Sequence, residues 1–482
     1  MASAPHSIDP TGYIDDLLAQ ASPDLMRQML QDTINLLLSA QIVGFILLPF
    51  YTPALATDEF GFVDLMTVAF SLVIPVLTLQ IHMASFRFLI DARASREEQQ
   101  RIVTNTLALL GLFLLLVVVV AAVVWIAFRP AHFLLVVGVG ICMTLLQNFG
   151  QISRGLGFNL HYAMSNIITA AVTLVGALVF VGAFHWAVTG VFSALIIANA
   201  LGAFYLFFAL RMWTLVVPSL RSKSQCRAML AYSVPLIPHG LAWSVNNAAD
   251  RLLISFFLGT GANGIYAASA KFVTVLNAPN SVFTMSWAES ASVNIKSPDR
   301  DEFFSSVANS ALKLFGSGGL VLIAGMPLLF KLMISDEYSG GLVVVPVLVA
   351  GVVINVLAGI YDAVYTAKMQ SRRVMVTTVL GAVVNLVLNV ALIPFIGILG
   401  AATATTVSFA VVALVRAWDT RKAVRIRYNH RDAAASVFVI ANFYLGNLQW
   451  NNIALVVMIV FALVLNRSYV AMAWKKVRGR LG

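Results

Sequence analysis

The chain has 482 residues, 60% hydrophobic and only 11% charged, with a mean hydropathy of +0.88. Soluble domains carry about a quarter charged residues, so this composition excludes a soluble fold. The net charge of +10 does not indicate a nucleic-acid partner, because the basic residues gather in short gaps between apolar runs, where the positive-inside rule accounts for them.

Residues 1–32 carry Asp9, Asp15, Asp16 and Asp24 and lack the basic-then-apolar order of a signal peptide, so they read as a cytoplasmic segment with a short amphipathic helix. A spanning helix needs roughly 20 mostly apolar residues. Such runs fall at 33–52, 63–86, 102–127, 133–151, 163–184, 187–210, 229–257, 264–290, 305–333, 341–367, 374–394, 399–416, 433–447 and 453–467, fourteen in all. The thirteenth is short and interrupted by Asn442 and Gly446. The fold class is therefore an all-α polytopic membrane protein.

Alternate gaps hold Arg93, Arg96 and Arg101; Arg154; Arg221, Lys223 and Arg227; Lys296 and Arg300; Lys368, Arg372 and Arg373; Arg421 to Arg431; and the tail Lys475 to Arg480. The other gaps hold little beyond Arg129 and Lys331. This asymmetry places both termini in the cytoplasm. The outer connections, of which 51–62 is one of the longer, leave no room for the extended outer domain that a membrane glycosyltransferase or polymerase needs.

Two internal likenesses mark a repeat. Residues 184–194 resemble 394–404, each opening the sixth span of a half, and Gly61-Phe-Val-Asp-Leu65 resembles Gly264-Ile-Tyr-Ala-Ala268, each opening a second span. Six spans per repeat give both halves the same orientation, so two lobes, 33–222 and 223–431, are expected around a pseudo-twofold along the membrane normal. The segment 432–482 then holds an appended helix pair, and the natural site is the cleft between lobes.

Polar residues inside spans are costly and mark function or pairing. The second span carries Asp64, Thr67 and Ser71, with His82 and Arg87 deeper; the fourth carries Gln147, Asn148 and Gln151. In the seventh, His239, Trp243, Asn246, Asn247 and Asp250 share one helical face, with Arg251 at its edge. The eighth adds Lys271, Thr274, Ser281 and, near its end, Glu289; the ninth adds Ser306, Ser310, Lys313 and Ser317. Asp362 with Tyr365, and Asn385 with Asn389, follow in the tenth and eleventh.

Arg251 and Lys271 flank one outer turn, 258–263, and sit at one level about 11 Å below the outer boundary at a rise of 1.5 Å per residue. Two readings stand: both snorkel outward and pair with Asp250 as a clamp, or they form a cationic patch that attracts phosphate. Lys313, two turns inside the ninth span, is a third candidate anion contact, whereas Arg87 reads as a snorkelling end residue. Asp250, Asp362 and Glu289 are candidate proton or cation carriers, and the paired amides read as helix-to-helix hydrogen bonders.

Gly259-Thr-Gly-Ala-Asn-Gly264 has the letters of a dinucleotide fingerprint but joins two apolar spans with no preceding strand, so it reads as a turn. No Walker lysine, nucleophile-elbow or zinc motif occurs, and Cys142 and Cys226 lie at different levels, so neither a metal, a cofactor nor a disulfide is expected. Prolines at 75, 235, 238 and 327 fall within the spans, and Pro235 with Pro238 predicts a bend below the charged face of the seventh.

The stretch Tyr232-Ser-Val-Pro-Leu-Ile-Pro-His239, then Asn247-Ala-Ala-Asp-Arg251, Gly264-Ile-Tyr266 and Lys271, resembles the polysaccharide-lipid flippases of the MOP superfamily, relatives of the MATE exporters. Asn385 to Pro394 running into Gly397-Ile-Leu-Gly-Ala-Ala402, and Asp64-Leu65 through Pro75, Thr78 and Arg87-Phe88, are similar to their eleventh-to-twelfth and second spans. The resemblance covers most of 33–431. It implies a two-lobed transporter in the bacterial cytoplasmic membrane that moves an undecaprenyl-pyrophosphate-linked oligosaccharide to the outer leaflet by rocking its lobes. Membrane lipids, a glycan polymerase and glycosyltransferases of the same pathway are the implied partners.

On this reading Arg251, Lys271 and Lys313 contact the anion, with Asp250 holding the first two. Asn246, Asn247, His239, Glu289, Asp362, Asp64 and Arg87 support or couple. A MATE-like cation antiporter is the alternative and requires acids and aromatics to dominate the cavity; an inactive envelope scaffold is a further one.

Overall fold

Inside a bilayer every backbone N–H and C=O must find its partner within the protein, and apolar runs of this length do so as helices. A computed structural model describes residues 40–429 and Val460. The N-terminal segment, the start of the first span, span thirteen, all of span fourteen but Val460, and the basic tail lie outside these residues.

The first crossing is α1 (Ala40–Ile46) and α2 (Leu48–Ala54), joined at Leu47, and the second is α3 (Thr57–Leu77) and α4 (Ile81–Asp91). Then come α5 (Arg96–Phe128), α6 (Phe133–Gly155), α7 (Asn159–Gly176, extended by a π-helical segment Ala177–Ala183) and α8 (Ala187–Ala209). A connecting helix, α9 (Lys223–Ser233), and a 3₁₀ turn at Val234–Leu236 lead into the second half. That half contains α10 (Ile237–Leu258), α11 (Thr260–Asn294), α12 (Arg300–Met333), α13 (Val344–Ala367), α14 (Ser371–Ile396) and α15 (Ile398–Thr420). Among the described residues, nine helices are long and apolar enough to cross a membrane by themselves. The interrupted pair α1–α2 and the polar-striped α10 and α11 bring the described crossings to twelve. The side carrying Arg93, Arg154, Lys296, Lys368 and Arg421 is called the basic side below.

Local sequence explains where the helices depart from expectation. The second span begins at Thr57 rather than 63, because Asp58 and Glu59 stabilise its first turn and Glu59 caps the Ala56 N–H. It is also broken: Leu79 and Gln80 take positive φ values of 47° and 53° just past Pro75. Pro75 has no N–H for the Ser71 carbonyl, and that carbonyl instead accepts from Ser244 Oγ of α10 at 2.7 Å. The expected seventh span, 229–257, divides into α9 and α10, so Pro235 lies in the intervening 3₁₀ turn and Pro238 in the first turn of α10, where a missing N–H costs little. The expected six-residue turn at 258–263 shrinks to Gly259, whose φ of 88° suits only glycine.

The repeat recurs in the packing. α6 on α8, α7 on α8 and α5 on α6 correspond to α13 on α15, α14 on α15 and α12 on α13. The halves meet chiefly where α3 packs on α11, with α10 also against α3. At that crossing the equivalent glycines face one another: a Cβ on Gly61 would fall 1.9 Å from the Thr260 carbonyl oxygen, and one on Gly264 would fall 2.0 Å from that of Thr57. Asn263 Nδ2 donates to the Gly61 carbonyl at 3.0 Å, and Thr260 Oγ1 donates to Asp58 at 2.9 Å.

One apolar core, including Leu47, Phe60, Phe272 and Tyr338, runs through both halves on the side opposite the basic one. Towards the basic side it gives way to two separate cores, one around Leu89, Ile152 and Leu206 and the other around Trp287, Phe304 and Ile360. The halves are thus joined at one end and individually packed at the other. Gly61→Ala should destabilise the protein by about 1–3 kcal/mol through overpacking at the crossing. Gly111→Ala, whose new Cβ meets nothing within 4 Å, should leave thermal unfolding in detergent unchanged or slightly raised.

Candidate functional site

Asp250 and Arg251 are neighbours on α10, and adjacent helical residues project in different directions. This geometry corrects the expectation that Asp250 holds Arg251 and Lys271. Arg251 turns towards α3 and pairs with Asp64, Nε to Oδ2 at 3.0 Å, with the Asp64 side chain only 8% exposed. The N–H is not aligned on the oxygen, so the contact is electrostatic rather than a directed hydrogen bond. Asp250 turns the other way and accepts from Tyr266 Oη at 3.0 Å, Asn389 Nδ2 at 2.7 Å and Thr405 Oγ1 at 2.6 Å. Asn385 completes this cluster by donating to Thr405, so both amides of α14 bond between helices as their spacing suggests.

Lys271 on α11 is half-buried, and its ammonium has no hydrogen bond or ion pair among the described residues. Its ammonium lies beside Gly44 of α1, where an added methyl would come within 3.2 Å of Nζ, and it feels the charges of both Asp64 and Arg251. Lys271 forms part of the wall of a cavity of about 570 Å³ enclosed by α1, α3, α6, α7 and α8. The remaining wall is largely apolar, with Asp64, Thr67, Tyr162, Asn166 and Asn199 among its polar groups. The cavity therefore lies inside the first half, with Lys271 reaching in from the second, rather than in a symmetric cleft.

The other candidates disperse. Lys313 is half-buried on α12 and does not line this cavity. Glu289 is exposed, and Arg87 pairs with Asp91 at 2.6 Å at the half-exposed basic end of α4. His82 is buried, its Nε2 3.3 Å from Gln147 Nε2. His239, Trp243, Asn246 and Asn247 lie on α10, but their side chains are outside the described residues.

Asp362 meets a partner that sequence reading passed over. Arg416 Nη2 lies 3.0 Å from Asp362 Oδ1, and the buried guanidinium also donates to Thr377, Thr378 and the Ala358 carbonyl. Arg416 closes the apolar run of the last lobe span, so it resembled one more end residue; the signal was an intramembrane Asp362 with no counter-charge assigned. Beside it, Asp419 accepts from Tyr365 at 2.8 Å and pairs with Arg373.

Twelve crossings among the described residues, in two halves with paired charges inside, define a polytopic helical membrane fold. A family model described as polysaccharide biosynthesis protein matches residues 30–288. The chain belongs to that family. No curated protein matches it by sequence. Its fold is similar to that of the lipid II flippase MurJ in an inward closed conformation, with a TM-score of 0.66 at 12% identity over 93% of this chain and 99% of that one. It is also similar to an inward-facing multidrug resistance MATE transporter of the MOP superfamily (0.64, 11% identity, 83% and 96%) and to a mutant of the Vibrio cholerae MATE transporter VcmN (0.55, 15% identity, 82% and 96%).

Asp64→Asn should cost about 3 kcal/mol, because it strands a largely buried guanidinium. Adding Arg251→Gln to Asp64→Asn should recover part of that loss, and a double-mutant cycle on thermal stability should return a coupling of about 1–3 kcal/mol. A coupling near zero would mean that the two charges do not interact.

Proposed function

We propose that this protein is a flippase for an undecaprenyl-pyrophosphate-linked oligosaccharide, carrying it from the inner to the outer leaflet for surface polysaccharide assembly. The observation that carries the reading is the Lys271 ammonium, unpaired among the described residues, in the wall of a cavity of about 570 Å³. A half-buried cation without a partner among the described residues is receptive to an anionic headgroup. Arg251 acts with it indirectly: by neutralising Asp64 it leaves the Lys271 end of the cavity net positive. The hydroxyls and amides of Tyr162, Asn166 and Asn199 supply polar contacts of the kind sugars use, and the polyprenyl chain remains in lipid.

In this reading the basic side is cytoplasmic, following the charge asymmetry, and the sealed side is outer. The lobes alternate access by moving about the Gly61–Gly264 crossing. Because α9 packs on α4 and α5, we place the lobe boundary at Val234–Leu236 rather than at 222. Asp250, held by neutral donors, is the carboxylate we assign to coupling with a proton or cation. Export of a cationic drug is the weaker reading, since Asp64 is the one acid lining the cavity among the described residues and it already faces Arg251.

In cells relying on this copy alone, Lys271→Gln should lower surface glycan about tenfold to a hundredfold, the worth of one charged hydrogen bond, and lipid-linked oligosaccharide should accumulate on the inner leaflet. Lys271→Arg should largely restore export. Normal glycan in the Lys271→Gln strain, at equal protein abundance in the membrane, would reject the assignment.

A further inference from the structure

The connection between the halves is fixed to the first. The opening turns of α5 are polar and hold it at several points: Gln100 Nε2 donates to the Thr214 carbonyl at 2.9 Å, Thr104 Oγ1 accepts from Val217 N at 2.9 Å, and Asn105 Oδ1 accepts from Ser222 N at 2.9 Å. Beyond these contacts α9 lies with Met229 and Ser233 buried and Tyr232 edge-on to Phe88 of α4. Between α9 and α5 runs a groove of about 860 Å³.

The groove is graded along its length. One part of its wall is cationic, formed by Arg221, Lys223 and Arg227, all exposed, their side chains without an ion pair or hydrogen bond among the described residues. The other part is apolar, formed by Ala108, Leu230, Ala231 and Val234, and no carboxylate lines the groove among the described residues. Ala108 sits where α5 changes from its polar opening turns to its apolar run, and Leu112, Leu115 and Leu116 farther along are exposed on the lipid-facing surface. The groove thus crosses from the aqueous boundary to acyl depth.

We propose that this groove binds an anionic glycerophospholipid of the leaflet on the basic side, with its phosphate among Arg221, Lys223 and Arg227 and an acyl chain along Ala108, Leu230 and Val234. A free anion would satisfy the rim and leave the apolar wall in water, whereas a zwitterionic lipid would cover the wall but gain less from the rim. Each basic residue near such a surface tightens binding about fivefold. The groove shares no lining residue with the cavity that holds Lys271, so the occupant is bilayer lipid rather than cargo in transit. A lipid seated there would fasten α9 to α5 and fix the end of the chain segment from which the second half swings.

The test uses the full-length protein in detergent with dioleoyl-phosphatidylglycerol or dioleoyl-phosphatidylcholine, counting retained lipids by native mass spectrometry. Wild type should hold one phosphatidylglycerol at least tenfold more tightly than phosphatidylcholine. The triple variant R221Q/K223Q/R227Q should lose that preference. Ala108→Trp, which fills the apolar wall and leaves every charge in place, should lose the bound lipid as well, so the proposal remains testable if the triple variant fails to fold. Equal binding of the two lipids, an undiminished preference in either variant, or displacement by undecaprenyl phosphate at lower concentration than phosphatidylglycerol itself would overturn it. Lys271→Gln should leave the preference unchanged, which separates this site from the transport reading.

Discussion

The structure depends on one place where two backbones touch. The Thr57–Gly61 turn of α3 and the Thr260–Gly264 turn of α11 are equivalent in the repeat, and each glycine lies against the other threonine's carbonyl. Only residues without a Cβ allow helices to approach this closely, the device by which small residues join helices in membranes. The contact is self-complementary in the way an isologous interface is, although both partners belong to one chain. Around it gather Asn263 on Gly61, Thr260 on Asp58 and Tyr338 on Leu55, so the one end where the halves share a core is also the end held by polar bonds.

That crossing sets the positions of the intramembrane charges. Starting from Gly61, Asp64 lies one turn along α3 and meets Arg251; starting from Gly264, Lys271 lies two turns along α11 and reaches the cavity of the other half. The two residues descend from matched points of the repeat but are not equivalent: Asp64 corresponds to Ala267. The symmetry of the backbone therefore carries an asymmetric set of charges. Asp362 with Arg416 and Asp250 with its three donors sit wholly in the second half, so the first half keeps its interior open and the second half fills its own with bonded polar groups.

Much of this was legible because hydropathy, charge asymmetry and helical spacing are one-dimensional signals. All twelve described crossings coincide with apolar runs, and the likeness of Gly61–Leu65 to Gly264–Ala268, a sign of the repeat in the sequence, falls at the contact between the halves. Partner choice was less legible. The pairing of Arg251 with Asp64 joins residues 187 positions apart, and nothing in either span distinguishes that partner from the nearer Asp250. Breaks within helices were hidden for a related reason: Leu79 and Gln80 are ordinary helix residues, and their positive φ values arise from the Pro75 upstream and from Gln80 Nε2 bonding the Leu236 carbonyl across the halves. Arg416 was masked by its place at the end of a run, where a snorkelling arginine gives the same pattern.

Motion of the proposed kind requires the sealed end to part at modest cost. Its polar bonds are few: Thr52 with Met333 and Ser335, Tyr338 with Leu55, Asn263 with Gly61, and Thr260 with Asp58. At a net worth of about 1 kcal/mol each they sum to several kcal/mol, the same order as the roughly 5.5 kcal/mol of differential binding that inverts a two-state equilibrium from 1:99 to 99:1. A pyrophosphate pairing with Lys271 in one arrangement of the lobes and not in the other, as proposed, would supply about 1.5–3 kcal/mol of that difference, the worth of one charged hydrogen bond. The shared apolar core is the larger resistance, and it need not be exposed if the helices roll about the crossing, where Gly61 and Gly264 themselves present no side chains to interlock. In that arrangement the glycines act as a bearing and the hydrogen bonds around them as the latch.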